Sequence, residues 1–329
     1  MKSNKEFIPY GIKFKPILKD KIWGGSKLKD FLGKSASAQA GESWEISTVK
    51  GDISEVNNGV YKGLKFVELL EVFQNEILGK YVVDKFGGNF PLLIKYIDAS
   101  KNLSVQVHPG DEMARKKHNS YGKTEMWYIM QADPGSMINV GWKNKISPEE
   151  YSESLKKGTI TDHLNFIKVD RGDTFFIKAG KVHAIGEGVM LAEIQQTSDV
   201  TYRVYDWDRV DENGTSRELH IESAGQAMNF NLKDDYTVDY EPVKNESINL
   251  VDCEFFTTNI IEVHSKAVKD YSLLDSFVIF MNVSGTAKID VDGKEEVIEY
   301  GESILIPAMA NSVIIQGEKA KLLEILISN

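Results

Sequence analysis

An all-β protein built from two jelly-roll barrels with a few short helices is the fold this sequence predicts, and three observations lead to it. Thirteen Tyr, fifteen Phe and twenty-six Gly accompany Val, Ile and Phe runs broken by Gly, Asp and Asn, the pattern of strands joined by turns. Helical periodicity is scarce. The segment from Gly172 to His183 (GDTFFIKAGKVH) also aligns without gaps on that from Gly301 to Ser312 (GESILIPAMANS). Each copy reads as turn glycine, acidic residue, hydroxyl residue, apolar strand and second turn, a unit natural to a jelly-roll barrel. His183 closes the first copy and Ser312 the second, so a metal site built on this motif survives only in the first.

The helical signals lie at 65–73 and 148–157, where Ser147 can cap and Pro148 begin the helix. Strands are expected at 92–97, 103–108, 126–130, 174–177, 189–195, 277–283, 287–291, 303–306 and 321–327. The polar stretch 233–246, containing Pro242, separates a domain 1–240 carrying the metal site from a degenerate domain 241–329 without one.

With 329 residues, 42% of them hydrophobic and 27% charged, the chain can bury a substantial core. A net charge of −10 argues against nucleic-acid binding, which needs clustered Lys and Arg, but leaves room for a small anion held by a few local cations. Cys253 is the single cysteine, which excludes an internal disulfide and makes a reducing, cytoplasmic setting the default. The N-terminus lacks the apolar run of a signal peptide, and no uncharged stretch is long enough to span a bilayer, so no membrane partner is expected.

The chemistry concentrates in two short strand-like segments. Residues two apart on a strand project to one face, which pairs Gln106 with His108 and Lys123 with Glu125. His183 follows a glycine-punctuated turn. Imidazoles, a carboxylate and an amide oxygen form a mixed donor set that suits zinc or a similar divalent ion. His118 sits in the basic run from Arg115 and is expected on a solvated loop, while His163, His220 and His264 have no matching partners.

Several segments taken together resemble the type I mannose-6-phosphate isomerases in their short bacterial form: Lys21 to Gly25, Gly41 to Ser47, Pro91 to Asp98, Leu103 to Pro109, Gly122 to Tyr128, Gly180 to Ala184, and Glu193 to Arg209. The resemblance covers about the first two-thirds of the chain and implies a double cupin with a metal in the first barrel. There are departures from the family pattern. Lys178 stands where the cupin turn usually has Pro, and the second copy has Met309 at the glycine position.

What the resemblance implies for the site is specific. His108, His183 and Glu125 would hold one Zn2+ per chain, with Gln106 either a fourth ligand or a group that only orients one. The activity implied is interconversion of mannose 6-phosphate and fructose 6-phosphate through an enediolate, which needs oxyanion stabilisation and a proton carrier. Lys123 and Arg203 are the expected cations. Glu193 is the favoured proton carrier, with Lys123 and a zinc-bound water as alternatives. Arg203 suits either the phosphate or the enediolate, and Lys95 and Ser104 are further substrate contacts. The expected partner is a small phosphorylated sugar, with the chain a monomer or homodimer.

Other readings remain open at this point: an isomerase of a related sugar phosphate, an iron-dependent cupin dioxygenase, or a non-catalytic sugar-phosphate binding protein. Lys123 and Arg203 weigh against oxygen chemistry, which has no need of cations converging on an anion. Glu193 weighs against a mere binder.

Overall fold

The computed structural model describes residues 6–210, 213–231 and 237–328. Positions 1–5 of the N-terminus and 233–236 of the boundary stretch lie outside the described residues. The chain forms two compact units, the first made of Leu18–Ser43 and Ile94–Val238, the second of Met1–Ile17, Trp44–Leu93 and Asp239–Asn329. Residues 1–17 and 44–93, which the linear division puts in the N-terminal domain, thus group with the C-terminal strands. Two contacts within the second unit show why. Ile12 pairs with Leu305 across a β-bridge. The Lys80–Phe86 helix has its first amides, Lys80 N and Tyr81 N, bound to the Asp275 carboxylate at 2.8 Å each. Gly79 leads into that helix at φ +86°, and a Cβ there would stand 2.3 Å from the Asp275 carbonyl oxygen.

The strands that carry the site form the two sheets of a jelly roll. One runs Ile17–Gly25, Ala40–Ile46, Leu92–Ala99, Val189–Gln196, Glu125–Ala132, Thr174–Ile177, and the other Tyr202–Tyr205, Val105–Val107, His183–Ile185, Met137–Trp142, Leu164–Lys168. Alternation along the strands fills the space between them with Trp23, Ile97, Trp127, Ile129, Ile138, Val140, Phe175 and Leu191. The opposite face of the five-stranded sheet is also apolar. Val105, Val107, Val182, Tyr202 and Val204 pack there with Tyr151 and Ala224, from the Pro148–Lys157 and Ile221–Ala227 helices.

The second unit repeats the plan with a sheet of Ser247–Asp252, Thr257–Val263, Ala320–Leu326, Val278–Ser284, Ser303–Ile306 and a smaller one of Lys266–Asp270, Ser312–Gly317, Ala287–Val291, Lys294–Ile298. Its core holds Phe280, Ile289, Ile304, Val313, Ile315 and Leu322. The repeat seen in sequence is a repeat of register. Phe175 opposes Trp127, which opposes Glu193; correspondingly Ile304 opposes Phe280, which opposes Glu324.

Local signals account for most elements. The Pro148–Lys157 helix starts with a capping box in which Ser147 Oγ accepts from Glu150 N at 3.1 Å, and it ends at Gly158 in the left-handed region. The helix expected at 65–73 continues to Leu78 because Ile77 and Leu78 extend its buried stripe. One expectation fails: His118 is not on a loop but ends the Asp111–His118 helix, where its Nε2 lies 2.7 Å from the Tyr202 hydroxyl. Only Ala114 of that helix is buried, so it carries no apolar periodicity. Acidic residues in its first turn and basic ones in its last complement the helix dipole instead.

Candidate metal centre

Strand pairing brings together groups that are distant in the chain. Gln106 opposes His183 on one side and Arg203 on the other, so the three side chains share one face of the five-stranded sheet. Glu125 and Trp127 alternate onto the face of the six-stranded sheet that also carries Glu193, which opposes Trp127. The turn before His183 ties the two histidines together. Gly180 N donates to the His108 carbonyl at 2.8 Å, and Gly180 itself, at φ +86°, has the Ala227 carbonyl oxygen 3.0 Å from where a Cβ would stand. Glycine at 180 is thus needed even though Lys178 replaces the usual turn proline.

His108, Glu125 and His183 form a buried cluster whose ligand atoms lie within 4.8 Å of one another. The two Nε2 atoms are 3.2 Å apart, and each lies 3.5 Å from one Glu125 oxygen. On the far side of each ring, Nδ1 sits beside a backbone carbonyl, Val200 O at 3.0 Å for His108 and Lys181 O at 2.8 Å for His183. Those carbonyls require N–H at Nδ1 and so turn the Nε2 lone pairs inward. Burial keeps both imidazoles neutral, holding His108 well below its ordinary value and His183 down at about 3.

Glu125 is fully buried, and neither oxygen has a hydrogen bond of adequate geometry, although Lys123 Nζ stands 3.0 Å from Oε2. Burial and the nearby Glu193 charge push its carboxyl up to about 7. A buried carboxylate with no hydrogen bond of its own, facing two inward lone pairs, is a donor set that fits a divalent metal. Gln106 is half-buried at the edge of this set, with Nε2 3.3 Å from His183 Nε2 and Oε1 3.5 Å from Ser104 Oγ. Turning the amide over directs the oxygen to the same centre.

The charged groups form a second layer. Lys123 Nζ lies 3.1 Å from His108 Nε2 and 4.0 Å from Glu193 Oε1. Burial pulls Lys123 down, but Glu125 and Glu193 outweigh it and raise its pKa. Glu193 accepts from Lys95 Nζ and Trp127 Nε1, each at 3.0 Å. Burial raises its carboxyl, yet Lys95 and Lys123 overcome this and hold it down at about 2. Sequence reading did not assign Trp127 a part, although its alternation with Lys123 and Glu125 was the available signal.

Arg203 is half-buried on the same sheet face as Gln106, but its side chain is held elsewhere, Nη1 donating to Glu218 O at 2.7 Å. His220 also gains a partner: its Nδ1 accepts from Arg203 N at 3.1 Å, and its own N–H donates to Arg203 O at 2.7 Å. Because both backbone bonds turn away from the neighbouring strand, Arg203 and Gln106 form a non-hydrogen-bonded pair, the type that brings side chains closest.

In the second unit the equivalent register positions carry different chemistry. Val278 stands opposite Ile306 as Glu125 stands opposite Ile177, and Asp270 opposes Ser312 as Gln106 opposes His183. Glu324 retains the carboxylate of Glu193, but it is enclosed by Tyr271, Ser247, Asn259 and Lys269.

Residues 12–138 match the family described as phosphomannose isomerase type I, catalytic domain, and residues 246–326 match the mannose-6-phosphate isomerase cupin domain. The chain is 38% identical over 247 residues to mannose-6-phosphate isomerase ManA of Bacillus subtilis, covering 74% of this chain and 76% of that one. It is 36% identical to mannose-6-phosphate isomerase of Streptococcus mutans, over 94% of this chain and 95% of the relative. The crystal structure of the mannose 6-phosphate isomerase from Bacillus subtilis superposes with a TM-score of 0.85 at 33% identity, covering 96% of this chain and 99% of that chain.

Proposed function

The chain belongs to the type I mannose-6-phosphate isomerase family, and from that premise we propose that it interconverts mannose 6-phosphate and fructose 6-phosphate with one zinc ion per chain. The observation that carries the reading is the buried meeting of His108, Glu125 and His183, with its orphaned carboxylate, in the barrel that also holds Lys95, Lys123 and Glu193. His108, Glu125, His183 and the Gln106 amide oxygen would hold the ion. Bound there, zinc supplies Lewis acidity for the carbonyl and adjacent hydroxyl oxygens of the sugar.

The remaining work falls to the chain's own side chains. Lys123, held as an ammonium beside the ligands, donates to the oxygen on which enediolate charge develops. Glu193 is the proposed carrier of the carbon-bound proton. At about 2 it is too weak a base for that task while Lys95 and Trp127 occupy its oxygens. It becomes competent when Lys95 turns its hydrogen bonds to the arriving sugar phosphate, a step that couples substrate binding to proton abstraction. Arg203 and Ser104, at the rim of the ligand strand, are the further substrate contacts. The second unit, whose register positions lack the histidine and glutamate ligands, is proposed to have no catalytic part, and the lone Cys253 favours the cytoplasm as location.

A coupled assay of fructose 6-phosphate formation, run before and after chelation and zinc return, tests the reading. Activity should vanish with the metal and return with it. His183→Ala should lose both metal and turnover, and Arg203→Ala turnover alone. Full activity in the chelated protein at verified zero metal would overturn the assignment.

A further inference from the structure

Immediately after the Arg203 strand, the chain makes a turn containing Asp206, Trp207, Asp208 and Arg209. Trp207 and Asp208 both adopt left-handed backbone conformations, at φ 58° and 52°. Such conformations are costly for a bulky side chain and persist only where the surroundings impose them. Here the surroundings are the entry to the ligand strand. Trp207 Nε1 donates to Leu103 O at 2.7 Å and Arg209 Nη1 to Asn102 O at 2.6 Å, just ahead of Ser104 and Gln106.

Asp206, only 4% exposed, is the centre of this turn. Its carboxylate accepts from Arg209 and, through Nε at 2.7 Å and Nη2, from Arg217. Arg217 directly follows Ser216, which pairs with Val210 across a β-bridge. The next residue, Glu218, offers its carbonyl to Arg203 Nη1. Arg203 and Arg217 are therefore both tied to this segment, near enough that the Arg217 charge helps lower the Arg203 pKa after burial does.

Their unused donors mark a ligand. Arg203 Nε is buried with no hydrogen-bond partner among the described residues, and neither its Nη2 nor Arg217 Nη1 has a recorded bond. A guanidinium with idle donors beside a second guanidinium is a place for a doubly charged, multi-oxygen anion. Arg209 differs, because its bonds to Asp206 and Asn102 occupy its whole fork.

We propose that Arg217, held by Asp206, is a second guanidinium that receives the phosphomonoester of the substrate together with Arg203. The inference rests on the sugar-phosphate reading above and adds a specificity residue to it, with Asp206 as the positioning residue. Phosphate binding by a segment that carries no metal ligand would then supply remote binding energy that positions the reacting carbons.

The test uses the metal-loaded enzyme with Arg217→Ala and Arg217→Lys. Steady-state kinetics with mannose 6-phosphate are combined with calorimetric binding of inorganic phosphate. Arg217→Ala should raise KM and weaken inorganic phosphate about ten- to a hundredfold, the scale of a lost charged hydrogen bond, with zinc content unchanged. Arg217→Lys, which keeps the charge and guards against a folding defect, should recover part of both. If KM and phosphate affinity stay within about twofold of the parent in the folded Arg217→Ala variant, Arg217 has no such role. Absence of turnover in the parent would instead strike the isomerase reading, while phosphate binding would still decide the fate of Arg217.

Discussion

Replacing Glu125 by Gln separates the metal-binding role of this carboxylate from any part in holding the barrel together. In the metal-free chain burial and Glu193 push its pKa from 4.5 to about 7. The folded state therefore binds a proton that the unfolded state has released across that interval, so this group's contribution to stability falls as pH rises through it. Gln mimics the protonated form. Metal-free Glu125→Gln should melt above the parent at pH 6 and by a larger margin at pH 8, where the parent must keep the buried Glu125 ionised close to the Glu193 charge. With zinc the order reverses. At a hundredfold excess over Kd the parent gains about 2.7 kcal/mol, a rise of about 4 °C for a chain of this size. A hundredfold weaker site under the same conditions retains about 0.4 kcal/mol, or about 1 °C. Differential scanning fluorimetry at both pH values, with chelator and with zinc, gives all four comparisons. Equal stabilisation of both proteins by zinc, or a metal-free variant melting well below the parent at pH 8, refutes the reasoning.

Glu193→Gln leaves the buried Lys95 and Lys123 ammoniums without their shared carboxylate, and chemical denaturation should show a loss of about 3–5 kcal/mol. Adding Lys95→Met should restore much of that stability without restoring turnover, whereas a single variant as stable as the parent contradicts the ion-pair account. Because burial lowers His183 to about 3, the chelated protein keeps this stability above the unfolded value near 6.5 and loses it as pH falls toward 3. Melting curves between pH 7 and 5 should decline less steeply for His183→Asn, which keeps His108, than for the parent; parallel declines dismiss the idea. Ser147→Ala removes the helix cap and should cost about 1 kcal/mol in denaturant titration with turnover intact.

Much of the fold was legible because strand and cap signals are local. The 174–177, 287–291 and 303–306 strands and the 148–157 helix have the expected ends, since each is bounded by its own turn residues. The Lys80–Phe86 helix was not legible, because its amides are capped by Asp275 from far along the chain. The Asp111–His118 helix escaped because a nearly unburied helix leaves no apolar rhythm to read.

The site divides in the same way. Alternation on a strand announces that Gln106 and His108, or Lys123 and Glu125, can share a face, and the repeat announces that Ser312 takes the place of His183. Those are properties of spacing, and the linear chain determines them. Which faces meet, how the Val200 and Lys181 carbonyls orient the imidazoles, and why Glu193 lies near 2 while Glu125 lies near 7 belong to the folded molecule alone. The reason is that a carboxylate's pKa and a histidine's tautomer depend on groups a few ångströms away in space, and sheet register, which places those groups, is set only when distant strands pair.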